Sequence, residues 1–143
     1  MRRWLLLLVN VVSALCAGVL LLLFWDLSFW FLEEHLFRPV LRRHYERIGY
    51  ANSDPLRDFA IMTSVYAAVV GLTLPVLIAY VLRLRWFVLA PILIAVVLLL
   101  ARALSILPVF VLLAAGFALY LFAATTFVGT WLGERLRARR IAV

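Results

Sequence analysis

Four apolar runs, over 4–25, 59–82, 86–107 and 109–132, occupy most of a 143-residue chain. Each is long enough for the ~20 helical residues that cross a ~30 Å hydrocarbon core. Arg102 is the one Asp, Glu, Lys, Arg or His side chain inside them. Lipid offers the backbone no hydrogen bonds, so a crossing segment must satisfy its own, and a helix does so within itself. The expected fold is therefore an all-α integral membrane protein. It is a four-transmembrane-helix bundle with a short amphipathic interfacial helix between helices 1 and 2. The spans are placed at about 4–25, 59–82, 86–104 and 108–132, with an outer loop over 27–58 and a basic cytoplasmic tail over 133–143, all in one membrane domain.

Composition closes off other classes. Hydrophobic residues make up 68% of the chain, against about half in soluble domains, and the mean hydropathy is +1.13. Too little remains outside the spans for a soluble domain. The single Cys16 has no partner for an internal disulfide, which excludes chemistry built on cysteine pairs. No nucleophile–base pair, phosphate loop, dinucleotide fingerprint or zinc-binding helix occurs, so no catalytic residue, cofactor or metal is expected. No histidine lies within a predicted span to ligate a haem there. Arg2 and Arg3 before an apolar run resemble a secretory leader. The run is longer than the usual ~7–15-residue hydrophobic region, so it is read as an uncleaved first span.

All 14 basic residues are arginine, and the formal net charge is +7. The arginines flank spans, so membrane topology explains the charge and no nucleic-acid partner is expected. With the N-terminus inside, the inner segments carry Arg2, Arg3, Arg83, Arg85, Arg135, Arg137, Arg139 and Arg140 against Glu134 alone. In the outer loop Arg38, Arg42, Arg43, Arg47 and Arg57 are cancelled by Glu33, Glu34, Glu46, Asp54 and Asp58. The positive-inside rule then places both termini in the cytoplasm, and the expected location is a bacterial inner membrane. Trp4, Tyr80, Trp86 and Trp131 fall at the inner interface, and Trp25, Trp30 and Tyr50 at the outer.

Small and polar residues recur at helical spacing on three spans: Asn10, Ser13, Ala14, Ala17 and Gly18 on the first; Ala60, Ser64, Ala67, Ala68, Gly71 and Pro75 on the second; Ala114, Ala118, Thr125, Gly129 and Gly133 on the fourth. Such residues let membrane helices approach closely, so these faces are expected to meet, with Asn10 as interhelical glue. The third span is bulkier and is placed at the periphery, with Pro91 and Ala95 on its Arg102 side. Pro39 and Gly49 bracket the interfacial helix, with Val40, Leu41, Tyr45 and Ile48 on one face and Arg42, Arg43, Glu46 and Arg47 on the other. Asp54 is the expected N-cap of the second span and Pro55 its first residue. The 104–108 turn is short enough to make the third and fourth helices antiparallel neighbours.

Three groups of residues are candidates for function. Asp26 and Arg102 both belong to the outer part of the membrane and form a candidate intramembrane ion pair; the competing reading has Arg102 snorkelling to the headgroups and Asp26 in water. Glu33, Glu34, His35 and His44 form an outer-loop polar cluster of metal-ligating types without a metal-binding spacing. Arg135, Arg137, Arg139 and Arg140 are placed to bind anionic headgroups, at ~1 kcal/mol per residue near the surface. The expected partners are membrane lipids and other membrane subunits or further copies of the chain. Three functional readings follow. The leading one is a non-enzymatic accessory subunit of a larger membrane complex, or a homo-oligomer. The second is a small transporter or lipid-handling protein using Asp26 and Arg102. The third is an interfacial enzyme built on the outer-loop cluster.

Overall fold

The computed structural model describes residues 2–50, 54–103 and 109–141, with side chains over 4–50, 54–103 and 117–140. The 104–108 turn and the side chain of Ala114 lie outside the described residues. Among those residues the chain is all-helical: α1 (Arg2–Leu32), a π-helical turn (Glu33–Phe37), α2 (Arg38–Ile48), α3 (Pro55–Val81), α4 (Trp86–Ala103) and α5 (Val109–Ile141). Among the described residues, three helices are long and apolar enough to cross a membrane: the continuous rod Trp4–Ile48, Pro55–Val81 and Trp86–Ala103.

The first departure from the sequence pattern is at Pro39. No loop precedes the amphipathic helix; α1 runs into it through the π turn, where the Arg38 N–H donates to the Glu33 carbonyl. The cause is local. Proline has no N–H to give, and its ring collides with the carbonyl four residues back. Widening one turn relieves the collision without ending the helix. Asp26 likewise ends no helix: α1 continues through Leu27, Phe29, Trp30, Phe31 and Leu32. Other boundaries follow their residues. Gly49 closes α2 at φ 80°, in the left-handed region that suits glycine, and its N–H donates to the Tyr45 carbonyl. The Asp54 carboxylate accepts from the Arg57 N–H at 3.2 Å, and Pro55 opens α3.

The most extensive helix contact is between α3 and α5. Gly71 and Gly133 leave no room for a side chain, and a Cβ on Gly129 would stand 2.6 Å from the Leu72 carbonyl oxygen. Pro75 offers the Gly71 carbonyl no N–H, and that oxygen would be 3.2 Å from a Gly129 Cβ. The two backbones therefore touch, as the small residues predict for helices that gain no hydrophobic drive from leaving lipid.

α1 does not join that seam. It packs mainly on α4, and α4 packs in turn on α5. Gly18 is buried with its Cα against Val96, and Ala14 is fully buried nearby. The third span is thus no peripheral helix: Leu89, Leu93, Val97 and Ala101 are in the core. Large side chains on α4 fill the space that the small face of α1 leaves open, which suits close packing better than two small faces opposed. Asn10 is not glue, since its Nδ2 donates to the Leu6 carbonyl of its own helix at 2.8 Å. The N-terminal end of α1 stands clear: Trp4, Leu5, Leu6, Leu7, Leu8 and Val9 are all exposed, and six consecutive residues face every side of a helix.

Gly129→Ala is expected to force α3 and α5 apart and cost about 1–3 kcal/mol by overpacking. Thermal unfolding in mild detergent would read this as a lowered midpoint; an unchanged midpoint would mean that the two backbones do not touch.

Candidate functional site

Within the bundle, α1, α3 and α5 converge on an aromatic node. The Trp25 ring meets Tyr66 edge-to-face at 5.5 Å and Phe122 at 5.1 Å, and Phe29 meets Tyr66 at 5.3 Å and Phe59 at 6.0 Å. The Tyr66 hydroxyl donates to the Trp25 carbonyl at 3.3 Å and shares a hydrogen bond with the Ser28 hydroxyl. Ser28 also bonds the Phe24 carbonyl. A buried hydroxyl without a partner is costly in lipid, and here each has one. Thr63, Ser64, Thr125 and Thr130 likewise bond carbonyls of their own helices. Among the described residues, Thr126 Oγ1 is the buried side-chain polar atom without a partner.

The node fixes the depth of Asp26. Tyr66 lies ~17 Å along α3 from Pro55 at ~1.5 Å per residue, and Trp25 is packed against it. Asp26 therefore sits well below the polar start of α3, beside apolar lengths of α3 and α5. It is exposed on the outside of the bundle, as is Arg102 on α4. The ion pairs among the described residues include neither. Gly18 and Val96 mark the contact between α1 and α4. Asp26 lies eight residues past Gly18 and Arg102 six past Val96, so on these parallel helices both charges emerge on the same outward face, about one helix diameter apart.

The outer-loop cluster is divided. Glu33 and Glu34 both pair with Arg38, at 3.3 and 2.9 Å. His35 stacks on Phe31 at 4.4 Å, and His44 tilts against Tyr45. Among the described residues no group of three or more His, Cys, Asp or Glu side chains could hold a metal. Tyr45 donates to Asp58 Oδ2 at 3.0 Å and so ties α2 to the first turn of α3.

The basic residues after Gly133 belong to a helix, because α5 continues to Ile141. Its polar turns reach the two helix ends facing the 82–85 turn. Glu134 Oε2 accepts from the Trp86 N–H at 2.8 Å, which satisfies an orphan donor at the N-terminus of α4. Arg137 Nη1 donates to the Ala79 carbonyl at 3.1 Å and to the Leu82 carbonyl, orphan acceptors at the C-terminus of α3. Both charges oppose the helix dipole at the end they cap. Arg140 donates to the Tyr80 hydroxyl at 2.7 Å, and the Arg135 guanidinium lies 4.2 Å over the Trp131 ring. Arg135 and Arg139 are exposed. The sequence held a signal for this clamp: Glu134 is the one acid among the inner arginines, and Trp86 opens the helix that follows the turn.

One further feature had no sequence signal. An apolar groove of about 500 Å³ runs between α3 and α5, lined by Ala60, Ile61, Val65, Ala68, Phe117 and Leu121, with Arg57 at the end nearest the start of α3. The chain matches no family model, no curated protein and no solved structure. Its residues and their geometry therefore carry the functional argument.

Arg137→Ala is expected to uncap α3 at a cost of about 1.5–3 kcal/mol, the range for hydrogen bonds to a charged group. Amide hydrogen exchange over 79–86 should speed up, while Arg139→Ala should leave it unchanged. Equal effects of the two variants would assign Arg137 to the lipid surface instead.

Proposed function

We propose that this chain is a non-enzymatic subunit of a membrane assembly, held laterally by the outward faces of its helices. The observation that carries this reading is the placement of Asp26 and Arg102, exposed and without ion pairs among the described residues, within the apolar length of the bundle. Charges at that depth are costly in lipid and are found paired or facing protein and water. The bare N-terminal end of α1 adds an exposed apolar surface. The interior also favours association over transport. Leu89, Leu93 and Phe122 are fully buried there, and the hydroxyls around them, Thr126 excepted, are bonded to carbonyls or, at Ser28 and Tyr66, to each other.

In this proposal α5 is the fourth span and α2 lies at the outer interface. Its arginines face out, while Leu41 and His44 line a small cleft against Asp58, Ile61 and Met62 at the start of α3. Both termini are cytoplasmic, in a bacterial inner membrane, with Arg135 and Arg139 free to meet anionic headgroups. A reporter enzyme fused behind α5 is expected to be active on the cytoplasmic side only; periplasmic activity would reverse the orientation.

A second reading, lipid handling, is favoured by the groove under Arg57. It spans ~18 Å from Arg57 to Val69 at ~1.5 Å per residue, close to the ~15 Å depth of one leaflet. An acyl chain there would place its phosphate at the guanidinium. One experiment separates the two readings: purification of the intact protein in mild detergent, with every bound chain and lipid identified by mass. A stoichiometric protein partner or further copies are expected. A lone monomer carrying an anionic phospholipid that Arg57→Ala removes would instead establish lipid handling.

A further inference from the structure

Asp26 and Arg102 open onto one face of the α1–α4 pair. The two helices meet where Gly18 lies against Val96. The bond from the Trp86 N–H to Glu134 sets α4 antiparallel to α5, and the reach of Trp25 to Phe122 runs α1 parallel to α4. Asp26 is eight residues past Gly18 and Arg102 six past Val96, so they stand ~12 Å and ~9 Å along from that contact. On α1 the acid is about 80° round from the contact; on α4 the base is about 120° round in the opposite sense. Both therefore leave the pair on the same side, and both are exposed there.

The face continues along both helices. Val19 and Leu15 lie seven and eleven residues before Asp26, and Ala95 and Pro91 lie seven and eleven before Arg102. Those spacings return to within about 20° of the charge on each helix. All four residues are exposed. Thus α1 presents an acid and two bulky aliphatic side chains, and α4 presents a base and two small residues at matching levels. Such a face fits itself. A second copy, inserted in the same direction and related by a two-fold axis along the helices, sets its α4 opposite α1 and its α1 opposite α4. Arg102 of the second copy then meets Asp26 of the first within ~3 Å in depth. Leu15 and Val19 meet Pro91 and Ala95 of the second copy, where small residues let a helix come close. The same contacts repeat across the axis, as a self-complementary interface requires. Four charges of alternating sign collect in the seam and leave the lipid, where each alone is costly.

We propose that this face is the interface of a two-fold symmetric dimer, in which the Asp26 and Arg102 of each copy pair reciprocally with the Arg102 and Asp26 of the other. This rests on the reading of the chain as a subunit and names its partner as one further copy. The contact uses the same patch on both copies and closes on itself, so assembly through it stops at two.

The test uses the full chain. In lipid nanodiscs the wild type is expected as a dimer. Asp26→Arg or Arg102→Asp alone should lower the dimeric fraction by more than ~tenfold, because each sets four like charges in one low-dielectric seam. Co-expressed, the two single variants should dimerise with each other, since every charge then meets its opposite across the seam. Pairing confined to one chain would not be rescued by this mixing. With Cys16→Ser as background, a copy carrying Val19→Cys and a differently tagged copy carrying Ala95→Cys are treated in membranes with a short bifunctional maleimide. A cross-linked species with both tags is expected. If the reversed charges prevent folding, this cross-link decides the question, and Asp26→Asn should weaken it. A wild type larger than a dimer, folded single variants that stay apart when mixed, or no cross-link between copies would overturn the proposal. A complex holding one copy of this chain and a different protein would overturn it while leaving the subunit reading intact. A monomer with no partner would end both.

Discussion

The rest of the bundle depends on two backbones in contact. Gly71, Gly129 and Gly133 remove the side chains that would hold α3 and α5 apart, so the two helices lie parallel and close along much of their length. In lipid this closeness is the source of the adhesion, since apolar side chains gain little by exchanging one apolar neighbour for another. The seam sets the register of everything else. It carries Phe122 to the level of Tyr66, where Trp25 can bind both helices to α1. It also carries the polar end of α5 past the end of α3, where Arg137 and Glu134 find the unpaired groups of two neighbouring helices.

The same requirement for paired polar groups explains the local irregularities. Pro39 removes one backbone donor, and the chain widens into a π turn where a break was expected. Pro75 removes another within α3, and the carbonyl it frees faces the bare Cα of Gly129. Hydroxyls in the core bond backward along their own helices or, at Ser28 and Tyr66, to each other. Against this pattern the outward Asp26 and Arg102 stand apart, which is why the functional argument turns on them rather than on Glu33, Glu34, His35 and His44, whose charges and rings are matched locally.

Much of the fold was legible because its signals are local. The Asp54–Pro55 start and the Gly49 stop are written in neighbouring residues and are present as read. The small faces of α3 and α5 were legible too, because identical spacing on both helices leaves few ways to pack them. The role of α4 was not. Bulk all round a helix marks either a lipid-facing helix or a core one, and the choice depends on Gly18 meeting Val96 across the bundle. Nor was the clamp of Glu134 and Arg137 read. Four arginines at the end of a chain carry the same composition whether they hang in solvent or, like Arg137, reach a carbonyl 58 residues away.

The amino-acid sequence by itself determined that the chain is helical and where three of its helices become apolar enough to enter a membrane. Hydropathy and capping act over a turn or two, and contiguous residues suffice to set them. Only the tertiary structure decided which face of each helix turns inward, that α1 leans on α4, and that Asp26 and Arg102 emerge exposed at nearly one depth. Those outcomes depend on rotation about each helix axis and on contacts between residues far apart in the chain, and no local pattern encodes them.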